Sequence, residues 1–168
     1  MGTLDNEFVK FGRTVAEVMK HRGKATDQEL DANIGFILLD KEERKGLASF
    51  TRGERLVYAI EGMVREVNNG GWNQFFFNSS GALAFDLVPA LEAVGSKENL
   101  SIAQRALKIF GKPASLSEEE RSKQLAKVTK DGENNPWEAL EGEFYQNPED
   151  LDGMIVEFIA RNQAEFGG

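Results

Sequence analysis

The sequence predicts an all-α protein, a single-domain bundle of about eight or nine helices over residues 1–168. Apolar residues recur at three- and four-residue spacing along most of the chain. Three predicted helix starts have a Ser or Thr followed three residues later by Glu, which is the capping-box pattern. No segment alternates apolar and polar residues for long, and β-branched residues are sparse, so no strand is predicted.

Two helices are predicted in the N-terminal third. A helix over about 5–22 is indicated by an apolar stripe of Phe8, Phe11, Val15, Val18 and Met19. The capping box of Thr26 and Glu29 predicts a second helix reaching about Leu39. Residues 40–50 are expected to form a charged connector with one short helical turn.

The strongest helical periodicity follows the capping box of Thr51 and Glu54, and it predicts a helix over about 52–68. Residues 69–71 (Asn-Gly-Gly) should stop this helix, because Asn and Gly tolerate the left-handed conformation of a C-cap. Residues 72–78 are predicted to form a short helix with its aromatic side chains packed inward.

Five further helices are predicted towards the C-terminus. Ser79 or Ser80 should cap a helix over 81–94, which Pro89 kinks or divides and Gly95 ends. Two Asn-Pro pairs, each with Asn expected at the N-cap and Pro at the first helical position, indicate the last two helices. The remaining predicted ranges are 98–110 (with Gly111 as C-cap), 118–130 (opened by the capping box of Ser117 and Glu120), 136–145 (from Asn135-Pro136) and 148–165 (from Asn147-Pro148).

The net charge of −8 is concentrated near the C-terminus. Residues 1–130 hold 18 acids and 19 bases, whereas residues 131–168 hold ten acids and a single base, Arg161. Such a charge distribution repels nucleic acid and attracts cationic partners, although it also suits a solvated end that favours solubility. The predicted partner-binding residues are Asp131, Glu133, Glu138, Glu141, Glu143, Glu149, Asp150, Asp152 and Glu157.

Some of these acids have a local reason to be acidic. Three lie in predicted first turns, where the helix dipole favours negative charge: Glu138, Glu149 and Asp150. Glu157 can pair with Arg161 one turn later. No such reason is apparent in the sequence for Asp131, Glu133, Glu141, Glu143 and Asp152.

Few residues suggest catalysis, so no catalytic residue and no enzyme activity are predicted. The chain has no cysteine and one histidine, His21, so neither a metal site nor a cofactor is expected. No phosphate-binding loop or nucleophile elbow is present. Glu61 and Glu66 do not face each other on a helix, and both are expected to be solvated charges. Without a signal peptide or an apolar span, the expected location is the cytoplasm and no membrane contact is predicted.

The central motif, residues 66–81, combines aromatic with amide side chains. Its amides need hydrogen-bond partners if the aromatic rings are buried. Two interpretations remain open: the amides satisfy backbone groups at helix ends, or they line a pocket for a small polar ligand or an enzymatic site. The residues concerned are Asn68, Asn69, Gly70, Gly71, Trp72, Gln74, Phe75, Phe76, Asn78 and Ser79.

The central motif resembles the signature of a bacterial helical domain family that includes a described DNA mimic. The matching residues are Glu66-Val67-Asn68-Asn69-Gly70-Gly71-Trp72-x-Gln74-Phe75-Phe76-x-Asn78-Ser79-x-Gly81. The resemblance continues in the Ala-Leu-x-x-Val-Gly segment of residues 90–95 and extends loosely over about 50–165. At Trp72 the family more often has Phe.

The resemblance implies an all-helical domain that forms a homodimer, and the described DNA mimic of the family presents an acidic surface to a DNA-binding transcription factor. The first hypothesis is therefore a non-enzymatic DNA mimic whose partner is a basic DNA-binding protein and which does not itself bind nucleic acid. Two alternatives remain: a ligand or enzymatic pocket built on Asn68, Asn69, Gln74 and Asn78, or an immunity-type protein that binds a basic toxin.

Overall fold

The computed structural model describes residues 9–111 and 117–167. Across these ranges the chain forms eight α-helices and no β-strand, which confirms the predicted all-α class. Short 3₁₀ helices cover Leu47–Ser49, Ser79–Leu83 and Gln163–Glu165. The α-helices are α1 (Val15–Met19), α2 (Asp27–Lys45), α3 (Arg52–Phe77), α4 (Ala84–Val94), α5 (Lys97–Phe110), α6 (Glu118–Thr129), α7 (Glu138–Gln146) and α8 (Leu151–Arg161).

The chain divides into two compact units. Unit 1 comprises the residues up to Tyr58 together with those from Asp150 onward. Within unit 1, α2 packs against both α1 and α8. The apolar side chains buried in this unit include Val18, Leu30, Ile34, Leu38, Val57, Ile155, Val156, Ile159 and Phe166.

Unit 2 spans Ala59–Glu149 and is built around α5, which packs against α4, α6 and α7. Its core is rich in aromatic rings. Phe76 stacks on Phe110 with ring centroids 4.2 Å apart, and it also lies beside Trp137 at 5.4 Å. Trp72 and Phe75 meet edge to face at 5.5 Å, a geometry that the ring quadrupoles favour.

The first helix is much shorter than predicted. The prediction of a helix over 5–22 is wrong for residues 9–14 and 20–22, and residues 5–8 lie outside the described ranges. Thr14 and Glu17 form a reciprocal capping box, which makes Thr14 the N-cap and starts α1 at Val15.

The second helix starts as predicted at the capping box of Thr26 and Glu29 but runs six residues past the predicted end at Leu39. The prediction of a connector from residue 40 is therefore wrong up to Lys45. Arg44 pairs with Asp40 one turn earlier, at 2.7 Å, so the charged residues support the helix. The helix ends at Gly46, whose φ of 72° is left-handed.

The two serines after the central motif do not cap an α-helix, contrary to prediction. They open a 3₁₀ helix, and α4 starts later, at Ala84. The Ser80 hydroxyl is used elsewhere, since it donates to Glu66 at 3.1 Å. The helix continues through Pro89 undivided, and Gly95 ends it in the left-handed conformation as predicted.

Neither Asn-Pro pair places Asn at a helix N-cap, so that prediction is wrong. Asn135 Oδ1 accepts from the Trp137 backbone N–H at 3.1 Å, and Asn147 Oδ1 accepts from the Glu149 N–H at 3.0 Å. Each Asn thus closes a turn over the proline, and the helix begins after that turn. The helices observed are Glu138–Gln146 instead of 136–145, and Leu151–Arg161 instead of 148–165.

The helices predicted over 98–110 and 118–130 are confirmed to within one residue, with Gly111 and Ser117 as their caps. In the ranges that the structure describes, we find no helix that combines the length and the apolar character needed to cross a bilayer.

Candidate functional site

The central motif contains a break in α3 at two consecutive glycines, as the sequence predicts. Gly70 has φ −156° and ψ 19°, and Gly71 has φ 75° and ψ −172°. Beyond this break the chain resumes helical geometry with Trp72, Phe75 and Phe76 fully buried. The backbone N–H groups that follow the break need partners because they begin a helical segment.

Glu141, on α7, supplies one of these partners. Its Oε1 accepts from the Trp72 backbone N–H at 2.9 Å, and its Oε2 accepts from the Asn135 side-chain amide at 2.9 Å. Glu141 also lies in the first turn of α7, where the helix dipole favours negative charge, so the expectation that it has no local reason to be acidic is wrong. Its negative charge caps a helical segment that is distant in sequence.

Three glycines of the motif make room for polar side chains. A Cβ on Gly71 would lie 2.1 Å from Glu141 Oε1, and one on Gly70 would lie 2.1 Å from Gln74 Oε1. A Cβ on Gly81 would lie 2.8 Å from both Arg121 Nε and the Phe76 carbonyl oxygen. Any side chain at these positions would displace a polar group from its hydrogen bonds.

Glu66 is the centre of a buried hydrogen-bond network. Only 7% of the residue is exposed. Its carboxylate accepts from Gln74 Nε2 at 2.7 Å, from Asn78 Nδ2 at 2.8 Å and from Ser80 Oγ at 3.1 Å. Arg65 lies 3.7 Å away and adds a positive charge. The prediction that Glu66 is a solvated helix charge is therefore wrong.

Burial alone would raise the pKa of Glu66, but the hydrogen bonds that it accepts from Gln74, Asn78 and Ser80 hold the pKa below its ordinary value. The carboxylate therefore remains ionised at neutral pH and continues to accept from three donors. Because these donors come from the second half of α3 and the following 3₁₀ helix, Glu66 fixes the chain direction after the glycine break.

Arg121, on α6, is a second buried charge at the motif. It is 2% exposed, and its guanidinium donates to the backbone oxygens of Phe76 at 3.3 Å and Asn78 at 3.2 Å. Burial lowers its pKa, while the nearby charge of Glu118 acts in the opposite direction. Arg121 thus satisfies carbonyl groups at the end of α3.

The amides of the motif separate into two groups. Gln74 and Asn78 converge on Glu66, whereas Asn68 and Asn69 are exposed. The structure therefore does not bring together all four amides of the predicted pocket. The indole N–H of Trp72 is buried with no hydrogen-bond partner among the described residues.

The acidic segment, residues 131–149, contains six acids and no Lys or Arg. Glu149 accepts hydrogen bonds from the backbone N–H groups of Lys97 at 2.8 Å and Glu98 at 3.1 Å. It also accepts from Asn99 N–H and from the Ser96 hydroxyl. The carboxylate thus caps the N-terminus of α5 from outside that helix.

Glu149 is therefore not in the first turn of α8, contrary to prediction. Burial would raise the pKa of its carboxyl group, but the hydrogen bonds from Ser96 and the α5 backbone outweigh burial and lower it.

Glu143 also has an internal partner. Its carboxylate forms a two-pronged ion pair with the Arg105 guanidinium, one arm of which measures 2.9 Å. This contact lowers the pKa of Glu143. Arg105 lies on another helix, 38 residues away in the sequence, so Glu143 has a partner although it has no local reason to be acidic, and the pair is half exposed.

The other three acids of the segment point to solvent, and we call them the outward acids. They are exposed and have no hydrogen-bonding or ion-pair partner for their side chains within residues 9–111 and 117–167: Asp131, Glu133 and Glu138. Asp131 has a left-handed φ of 56°. Glu138 is the first residue of α7, as the dipole argument predicts.

The remaining three predicted acids belong to unit 1. Asp150 is the N-cap of α8 and accepts from the Gly153 N–H at 3.0 Å. Burial raises the pKa of Asp152, helped by the charges of Asp150 and Asp27, although a hydrogen bond with Asp31 opposes the rise. Glu157 pairs with Arg161, as predicted, and also with Arg22.

Sequence reasoning missed the internal roles of several charged residues, among them Glu66, Arg121 and Glu141. Glu66 precedes a run of amides, which is a signal that could have identified it as their acceptor. Nothing in the sequence marks Arg121 or the contact of Glu141 with Trp72, because these partners lie more than forty residues apart. No cluster of three or more potential metal ligands occurs in the part of the chain that the structure describes.

These observations define a class: an all-α protein in which a glycine break and buried charges organise one unit, and outward acids project from it. Residues 48–162, well over half of the chain, match the family described as DMP19-like protein, and the chain belongs to that family. The matched range includes the central motif and all nine predicted acids. No curated protein and no solved structure shows significant similarity to the chain.

Proposed function

We propose that this protein is a non-enzymatic DNA mimic that occupies the DNA-binding surface of a basic protein. The observation that carries the proposal is the acidic segment, which lacks any Lys or Arg and keeps its three outward acids unpaired among the described residues. Family membership supports it, since the resemblance of the central motif is to a family that includes a DNA mimic.

The outward acids supply the negative charge that a DNA-binding surface would recognise. A strand of duplex DNA carries one phosphate about every 3.4 Å of helix axis, so a protein that binds DNA presents several cationic side chains close together. Carboxylates that are already paired internally, such as Glu143 and Glu149, have less charge to offer to those cations. The carboxylates that can leave solvent and form ion pairs with a partner's Lys or Arg are those of Asp131, Glu133 and Glu138.

Capture from a bacterial extract tests the proposal. The protein is immobilised, the extract is treated with nuclease, and bound proteins are eluted first with duplex DNA and then with salt. We expect DNA-binding proteins in the fraction released by duplex DNA, because a mimic and DNA compete for one surface. If duplex DNA does not elute the captured proteins and only salt does, the result would contradict DNA mimicry and favour the immunity-type alternative.

Charge reversal localises the surface. The double variant Glu133→Lys/Glu138→Lys should lower affinity for the captured protein at least about tenfold and weaken the salt dependence of binding. Glu43→Lys/Glu92→Lys is the matched control, since both residues are exposed acids on other helices and the net charge changes equally. Equal losses in the two variants would show that net charge alone, not the acidic segment, drives association.

The resemblance also predicts a homodimer. Sedimentation velocity at several protein concentrations measures this directly, and a species of one-chain mass at all concentrations would contradict it.

A further inference from the structure

Unit 1 contains a cavity of about 340 Å³ that the acidic segment does not touch. Its walls come from the start of α1 and the residues before it, from the C-terminal half of α2, from Glu54 on α3 and from Phe166. This volume falls within the range of about 300–1,000 Å³ that small-molecule sites occupy.

One part of the cavity wall is apolar. It is formed by Val9, Val15, Phe36, Ile37 and Phe166. Val15 and Phe166 also line a second cavity of about 330 Å³, together with Met19 and Ile159. Val15 and Phe166 are themselves almost fully buried, so the two cavities share a small apolar boundary formed by these two residues.

The polar part of the wall carries four cations and two acids. Lys41 pairs with Glu54 at 2.8 Å, and Glu54 is only 3% exposed. Arg44 pairs with Asp40. Arg13 and Lys45 have no ion pair or side-chain hydrogen bond with any residue that the structure describes. The lining thus has a formal charge of +2, in a chain whose net charge is −8.

This combination selects for one class of ligand. Arg13 and Lys45 favour an anion, because the Lys41–Glu54 and Arg44–Asp40 pairs already neutralise the other charges of the wall. The apolar wall favours a hydrocarbon body that would otherwise be exposed to water. We propose that this cavity binds a small amphipathic anion, a monocarboxylate with an unbranched apolar chain, and that Arg13 and Lys45 hold its carboxylate.

Calorimetric titration with decanoate, below the concentration at which it forms micelles, tests the proposal. We expect saturable binding of one decanoate per chain and far weaker binding of decyltrimethylammonium, which has the same tail with a positive head. Hexanoate should bind more weakly than decanoate, because its shorter chain buries less apolar surface.

Two variants test separately how the cations and the apolar wall contribute to decanoate binding, and a third variant is a control. Arg13→Ala/Lys45→Ala should weaken decanoate binding about tenfold or more, since charge-assisted contacts to the carboxylate are lost. Lys24→Ala/Arg52→Ala removes the same charge from exposed positions outside the cavity and should leave the affinity unchanged. Ile37→Trp, at a half-buried position, should abolish binding by filling the cavity, with circular dichroism confirming an intact helical fold.

Three results would overturn the proposal. Equal binding of decanoate and decyltrimethylammonium would indicate adsorption of the tail without recognition of the anion. Unchanged decanoate affinity in Arg13→Ala/Lys45→Ala, or in a folded Ile37→Trp variant, would place the ligand elsewhere. These readouts do not depend on the acidic segment, so they separate this site from the proposed DNA mimicry.

Discussion

The central motif and the acidic segment both belong to unit 2, and both are rich in polar side chains, but they use them differently. In the central motif, Glu66 and two amides are turned inward and satisfy one another. In the acidic segment, Glu141, Glu143 and Glu149 have internal partners while three carboxylates face water. Polar composition therefore does not distinguish structural residues from interaction residues, whereas the identity of each hydrogen-bond partner does.

Carboxylates with internal partners should matter for stability, whereas solvated carboxylates should matter for binding. A carboxylate that accepts from buried donors is costly to remove, because the donors are left without partners. A solvated carboxylate contributes little to folding and remains available to a partner. The acids of unit 2 should therefore separate into two groups when unfolding and binding are measured on the same variants.

The largest loss of stability is expected from Gly71→Ala. Alanine at φ 75° and ψ −172°, a backbone region that is almost exclusive to glycine, costs about 1–3 kcal/mol, and its Cβ would also force Glu141 away from the Trp72 N–H, for a total of about 3–4 kcal/mol. Gly46→Ala is the matched control, since Gly46 has nearly the same conformation, φ 72° and ψ 164°, but nothing within 4 Å of an added Cβ. Urea unfolding measures both, and equal losses would show that the contact with Glu141 contributes nothing.

A smaller loss, about 2–3 kcal/mol, is expected from Glu66→Ala, which leaves three donors without their acceptor. Glu66→Gln keeps the shape but loses the charge. Because the pKa of Glu66 is lowered in the folded state, its ionised form stabilises the protein above the ordinary pKa of 4.5. This contribution is lost as pH falls through the folded-state pKa.

The difference in unfolding free energy between wild type and Glu66→Gln should accordingly shrink below pH 4.5. Urea unfolding at pH 7 and at pH 3.5 provides the comparison. A difference that stays constant with pH would show that the charge of Glu66 is not what its donors stabilise.

The smallest expected losses of stability are those of single acids in the acidic segment, and they should differ between capping and outward acids. Glu149→Ala should cost about 1–2 kcal/mol, because α5 loses its cap. Glu133→Ala should change stability by less than about 0.5 kcal/mol, since Glu133 is exposed. Thermal unfolding of the two variants side by side measures this contrast. A loss for Glu133→Ala as large as that for Glu149→Ala would contradict the division of this segment.

Local signals in the sequence were sufficient for much of the fold. The capping boxes at Thr26 and Thr51, the N-cap at Ser117 and the glycine C-caps at Gly95 and Gly111 depend on residues within one helical turn, and the structure has them as predicted. The break at Gly70 and Gly71 was predictable for the same reason.

The predictions fail where a side chain that could cap a nearby helix bonds to a different group instead. Asn135 and Asn147 bond to backbone groups two residues later, so the helices begin further on. The hydroxyl of Ser80 serves Glu66, 14 residues away, instead of capping a helix. Glu141 meets Trp72 only because the chain folds, and spacing along the sequence carries no information about that contact.

The two oxygens of Glu141 connect distant parts of unit 2. One oxygen accepts from the Trp72 N–H, and the other accepts from Asn135, within the loop that carries two of the outward acids. A molecule docked on that loop is therefore expected to change the contact between Glu141 and the Trp72 N–H. Deuterium uptake at the Trp72 amide should then change when a partner binds, and unchanged uptake would show that the loop and the glycine break are not coupled.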